Sequence, residues 1–126
     1  MPRASALTYN QMVVDHISDE EVDRLFQALA DATRRDILSR TIQQEQSVSS
    51  LAQHYDMSFA AVQKHVAVLE RAALITKERR GREQIVRGHE PTLTKAAHLL
   101  DSYEELWIQR ANRMAGVLAG KRGEQL

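Results

Sequence analysis

The segment from Ser47 to Arg87 constrains this chain more than any other part of it. Ser47 or Ser49 caps a short helix whose inward residues are Val48, Leu51 and Ala52, and Tyr55-Asp56-Met57 forms a turn. Ser58 then caps a longer helix with Val62, Val66, Leu69 and Ala73 on one face. Leu74 to Arg80 and Glu83 to Arg87 read as strands joined across Gly81, where glycine supplies the positive φ of a tight hairpin. A short helix, a turn, a longer helix and a basic hairpin, in that order, predict a helix-turn-helix with a wing. That arrangement lays one helix in a DNA groove.

The flanks extend this plan. Residues 1–7 are expected to be disordered, and Tyr9, Met12, Val13, His16 and Ile17 recur at helical spacing. Ser18 and Glu21 form a capping-box pattern that opens a helix with Val22, Leu25, Phe26 and Leu29 inward. Asp31 caps the next helix, which carries Ile37, Leu38 and Ile42 inward, and Gln43 to Gln46 is a polar break. After His89-Glu90-Pro91 a final helix runs from about Thr92 to Gly120. The fold class that follows is mainly α with a β-hairpin wing. One domain over 1–126 is expected, with a DNA-binding core at 18–90 and dimerisation helices at 8–17 and 92–120.

Composition narrows the chemistry. The chain has 126 residues and no cysteine, which excludes disulfides, thiolate metal sites and cysteine nucleophiles. No apolar run approaches the roughly 20 residues of a membrane span, and no segment has signal-peptide character, so a cytoplasmic location fits. No Ser-His-Asp spacing, phosphate-binding glycine loop or carboxylate pair stands out, and the five histidines are scattered, so neither an enzyme nor a cofactor is expected. Net charge is zero, but it is unevenly distributed. Residues 57–89 hold seven Lys/Arg against three acids, whereas the first 31 hold Arg3 and Arg24 against six. A basic face on a neutral body is an adequate footprint for phosphates.

On the longer helix, Val66, Leu69 and Ala73 fall within about 40° of Val62 at 100° per residue. The opposite side carries Ala60, Lys64, Ala67 and Arg71. The exposed start is therefore small and polar: Ser58, Ala60, Ala61, Gln63 and Lys64. Small residues admit base edges and thymine methyls, Gln63 can read adenine bidentately, and Lys64 can reach guanine or a phosphate. His65 lies about 60° from the core centre, where it can pack at the domain edge or reach a phosphate. Arg79, Arg80 and Arg82 cluster around Gly81 and suit a narrow minor groove or the DNA backbone.

The final helix has its own pattern. Leu93, Ala97, Leu100, Glu104, Trp107, Ala111, Met114 and Leu118 alternate by four and three, a sustained apolar seam interrupted at Glu104. Leu99, Tyr103 and Leu106 are expected to pack on the chain's own core. A helix with two apolar faces has more to bury than one small domain covers, so a second copy is expected along the seam, joined by Tyr9, Met12, Val13 and Ile17. Trp107, Met114 and Tyr103 either line an effector cavity or serve as packing.

The runs LFQALADATRRDIL, LAQHYDMSFAAVQKHVAVLERAALI and RRGREQIVR resemble the ArsR/SmtB family of winged-helix repressors, in order and separation, from Leu25 to Arg87. The resemblance implies a homodimer reading a palindromic double-stranded operator, with repression released by an inducer that is often a metal ion. It places Ser58, Ala60, Ala61, Gln63, Lys64 and His65 at the DNA and Arg80 to Arg82 at the wing tip. Many relatives carry Pro at the Ala60 position and Ser at the Gln63 position, so the operator is expected to differ. Where the arsenic sensors carry Cys-Val-Cys, this chain has Ser47-Val48-Ser49, and a hydroxyl does not replace a thiolate toward a soft metal. The family's other metal position, on the C-terminal helix, would draw on His98, Asp101 and Glu105 with His89 upstream, donors suited to zinc or nickel. The family's pairing of two histidines with two acids is incomplete here, so no metal is expected and the inducer stays unnamed. The alternatives are a zinc- or nickel-responsive repressor and a winged-helix module for protein contact.

Overall fold

The computed structural model describes residues 17–124. Its elements are α1 (Asp19–Leu29), α2 (Ala32–Gln43), β1 (Gln46–Ser47), α3 (Val48–Ala52), α4 (Phe59–Arg71), β2 (Ile75–Arg80), β3 (Glu83–Gly88) and α5 (Glu90–Glu124). Two compact units result. One is Ile17–Ala96, which holds the sheet and α1 to α4; the other includes α5 from Ala97 onward. Tyr9, Met12, Val13 and His16 lie outside the described residues.

Each of the first four helices starts on a side-chain cap. Ser18, Asp31, Ser47 and Ser58 accept from the backbone N–H of Glu21, Arg34, Ser50 and Ala61, three residues on. Each such bond satisfies a donor that the helix start leaves unpaired, and losing one costs about 1 kcal/mol. The geometry selects Ser47 over Ser49 as the cap of α3.

α1, α2 and α4 pack on one another, with α3 against α4 and the sheet. Leu25, Ala28, Ile37, Leu38, Val48, Leu51, Val62, Val66, Leu69, Leu74, Ile75 and Val86 form one buried cluster. A fully buried Leu or Ile contributes about 1.5–3 kcal/mol by leaving water. Two expected core positions stay largely outside. Phe26 is 40% exposed and Ile42 53%. Leu25 and Ala28 centre the inner arc of α1 and put Phe26 about 130° from that centre; on α2, Ile37, Leu38 and buried Thr41 fill the arc, leaving Ile42 beyond its edge. Thr41 is tolerated inside because its hydroxyl donates to the Leu38 carbonyl at 2.9 Å.

The sheet is antiparallel in the order β1-β3-β2. β2 and β3 pair from Ile75↔Gly88 to Arg80↔Glu83, leaving Gly81-Arg82 as a two-residue loop with Gly81 at φ 63°. β1 falls where the sequence reads as a polar break. It pairs Gln46↔Val86 and Ser47↔Ile85, a contact some 40 residues away in sequence that only the folded hairpin provides.

α4 stops earlier than its apolar stripe implies. Ala73 leaves the helix at φ 59°, its N–H donates to Glu70 O at 2.9 Å, and the Leu74 N–H reaches back to Leu69 O at 3.0 Å. This is a Schellman ending with alanine at the position that favours glycine. The turn buries Leu74 and aims β2 back along the core, while Ala73 is exposed.

Candidate nucleic-acid interface

The exposed start of α4 is assembled by its cap. The Ser58 hydroxyl takes the Ala61 N–H at 3.1 Å, and burial of Val62, Val66 and Leu69 fixes the rotation of the helix. Ser58, Phe59, Ala60, Gln63 and Lys64 then face outward, and Ala61 is half-buried. Phe59, 47% exposed, adds an aromatic ring to a face that reads from sequence as small and polar.

His65 is half-buried beside α2, with its Nδ1 3.4 Å from the Arg34 guanidinium. The same guanidinium donates to Ala28 O at 2.8 Å and Gln27 O at 3.0 Å, and Arg35 donates to Leu29 O at 2.7 Å. These two arginines thus cover the last carbonyls of α1, sharing Gln27 O with the Ala30 N–H. Arg34 is already fixed on the backbone where it meets His65, and so ties α4 to the α1–α2 corner.

The turn before α4 is also anchored. Tyr55 donates its hydroxyl to Asp36 of α2, Arg40 bonds the same carboxylate at 2.8 Å, and the Arg40 guanidinium lies 6.0 Å from the Tyr55 ring centroid. These contacts hold the Asp36 carboxyl below its ordinary range, and burial together with this bond pushes the Tyr55 phenol up to about 12.

The wing separates its cations by face. The β2–β3 register puts Ile75, Lys77, Arg79, Gln84 and Val86 on the core side and Thr76, Glu78, Arg80, Ile85 and Arg87 on the other. Lys77 pairs with Glu70 of α4 at 3.3 Å. Arg80 bonds Glu45 at 2.7 Å and Glu78 at 3.2 Å, and Arg87 takes the same Glu78 oxygen as Arg80. Arg80 thereby holds the Glu45 carboxyl below its ordinary range. Arg79 and Arg82 stay exposed at the tip without an acidic partner among the described residues; Arg79 donates only to Gly81 O, at 3.3 Å.

The positions read as metal ligands are placed as follows. The Ser47 hydroxyl serves as a helix cap, and Ser49 is exposed on α3. With hydroxyls in these places, the site does not suit a soft metal. His98, Asp101 and Glu105 lie along α5, and no group of three His, Asp or Glu gathers at metal-site spacing among the described residues.

Along α5, Leu93 and Ala96 pack against the core of the first unit. Leu99 is buried. Beyond it Ser102 and Glu105 are half-buried, but the seam is open: Leu100, Trp107, Met114 and Leu118 are between 54% and 67% exposed. Ala97 and Ala111 are exposed with them. Tyr103 and Leu106, expected on the chain's own core, are both 58% exposed. The apolar surface of α5 thus runs round several sides of the helix and is not confined to the seam. None of the described helices is long and apolar enough to cross a membrane.

A family model of helix-turn-helix domains matches residues 29–78, which span α2 to most of β2. The uncharacterised HTH-type transcriptional regulator YuzN of Bacillus subtilis (strain 168) is 35% identical over 71 residues, covering 51% of this chain and 77% of that protein. An ArsR-like transcriptional regulator from Rhodococcus sp. RHA1 superposes with a TM-score of 0.67 at 32% identity, over 78% of this chain and 92% of that one. The homodimeric winged helix-turn-helix DNA-binding domain of a Mycobacterium bovis protein gives 0.55 at 26% identity, over 71% and 91%.

Proposed function

Because the chain belongs to the ArsR family of winged helix-turn-helix transcriptional regulators, we propose that it is a homodimeric repressor of a palindromic operator. α4 would enter the major groove with Gln63 and Lys64 toward base edges, Ser58, Ala60 and Ala61 close to the backbone, and His65 at the margin. Arg79 and Arg82 would follow the adjacent minor groove.

The observation that carries this reading is the open start of α4. Its Gln63 and Lys64 side chains are exposed with no hydrogen-bonding or ionic partner among the described residues, while the three residues that orient the helix are buried. Dimerisation would run along α5, where a second copy covers Leu100, Trp107, Ala111 and Met114 together with Leu93 and Ala97. It would set two recognition helices about one DNA turn apart. The homodimeric state of the Mycobacterium bovis domain supports the same assembly. No catalytic group enters this account, and Ser47 and Ser49 leave it without the thiolate metal switch.

Titration of the dimer against promoter fragments, with selection of the bound sequences, tests the reading. A salt-sensitive complex at an inverted repeat is expected. Lys64→Ala combined with Arg82→Ala is expected to abolish that complex while the dimer persists. Retained affinity with unchanged salt dependence would sink it.

A further inference from the structure

The cavity bounded by α1, the end of α4 and the start of α5 gathers charges that the DNA interface leaves unused. It encloses about 370 Å³, within the size range of small-ligand pockets. Arg24 comes from α1, Arg71 is the last residue of α4, Lys95 stands in the second turn of α5, and His89 precedes that helix. Glu21 is the one carboxylate in the lining. Buried Leu25 and Ala72 supply an apolar floor.

Elsewhere in the fold Arg40, Lys77, Arg80 and Arg87 each have an acidic partner, and Lys64, Arg79 and Arg82, assigned above to DNA, have none among the described residues. Arg24, Arg71 and Lys95 have no ion pair or side-chain hydrogen bond among the described residues. Three unpaired cations around one concave volume repel one another, and the concavity focuses their field on whatever enters. A carboxylate relieves that repulsion and can be held bidentately by a guanidinium, while the floor takes up an apolar body.

We propose that this cavity is a binding site for a small organic carboxylate. Its occupant touches the recognition helix at Arg71 and the left-handed stop at Ala73, and also the root of α5 at Thr92 and Lys95. An effect on DNA affinity would rest on the repressor reading above; the binding itself does not.

Calorimetric titration of the full chain with benzoate, against benzamide as the neutral isostere at constant ionic strength, tests the site. Saturable benzoate binding at one per chain is expected, with none for benzamide. Arg71→Gln and Lys95→Gln should each weaken it at least about tenfold by removing a charge-assisted contact. Melting curves establish that both variants are folded. Absence of saturation at millimolar benzoate, equal binding of benzamide, or indifference to both substitutions overturns the site. Anisotropy of labelled operator DNA, with and without benzoate, is read separately. Failure to bind DNA in every condition counts against the repressor reading and leaves the calorimetry to decide the site.

Discussion

The Tyr55 hydroxyl donates a 2.5 Å hydrogen bond to the Asp36 carboxylate, joining the turn of the helix-turn-helix to α2 across 19 residues of sequence. Arg40 completes the cluster by bonding the same carboxylate oxygen. Such a link fixes where α4 begins, because the helix starts only three residues after Tyr55 at its Ser58 cap.

Tyr55→Phe is expected to destabilise the fold by about 1 kcal/mol at neutral pH, a value for a charge-assisted bond reduced for its partial exposure. The carboxyl of Asp36 is depressed below its ordinary 3.8 by the Tyr55 bond and by Arg40, so its contribution is present above that value and fades as pH falls through the folded one. The phenol is raised from 10.0 to about 12, so its contribution is present below 10.0 and fades as pH rises toward about 12. Urea melts of both proteins across pH should show their stability difference shrinking in acid; a constant difference would mean that the carboxylate is not the acceptor.

Ala73→Gly should raise stability by about 0.5–1 kcal/mol. An L-residue in the left-handed region costs about 1–2 kcal/mol, and glycine returns part of that gain through its freer unfolded chain. Ala73→Val should destabilise instead, since a β-branched side chain tolerates this backbone less well. Denaturant midpoints at unchanged slope check both signs.

The three wing arginines should differ in their weight on DNA. Arg79→Ala and Arg82→Ala are each expected to lower the salt slope of operator binding by about 1, the loss of one phosphate contact. Arg80→Ala should change it less, because Glu45 and Glu78 already hold that charge. Equal effects at all three positions in salt-dependent binding isotherms would show that the Glu45 pair opens on DNA.

Trp107→Asp together with Met114→Asp should yield monomers by sedimentation, with the melting of the 17–96 unit retained. Both residues are more than half exposed in one chain, and the Arg110 guanidinium lies 5.7 Å from the Trp107 ring centroid, so the substitutions remove no buried packing of the chain's own. Persistence of the dimer would move the interface off this seam.

What proved legible in the sequence was local. Ser18, Asp31 and Ser58 are readable as caps because each bonds an N–H three residues on, and Gly81 because a two-residue hairpin demands positive φ. The outward set of α4 follows from 100° per residue once Val62, Val66 and Leu69 are recognised as its buried side. Phe59 is not legible in this way: at 100° per residue it falls about 60° from Val62, on the margin of the apolar stripe, and only the structure shows it 47% exposed.

By itself, then, the sequence determined the order of the helices and the hairpin strands, the Ser18, Asp31 and Ser58 caps, the tight hairpin and most of the outward set at the start of α4, because those depend on bonds within a turn or two of the chain. Only the tertiary structure decided which charges remain free. Arg80 and Arg79 are adjacent in sequence, yet the pleat sends one to Glu45, 35 residues away, and leaves the other at the wing tip. The same holds for Arg24, Arg71 and Lys95, which share a cavity because α1, α4 and α5 converge there. Pairing of side chains is set by distance in space, and distance in space between remote residues is fixed only when the core closes.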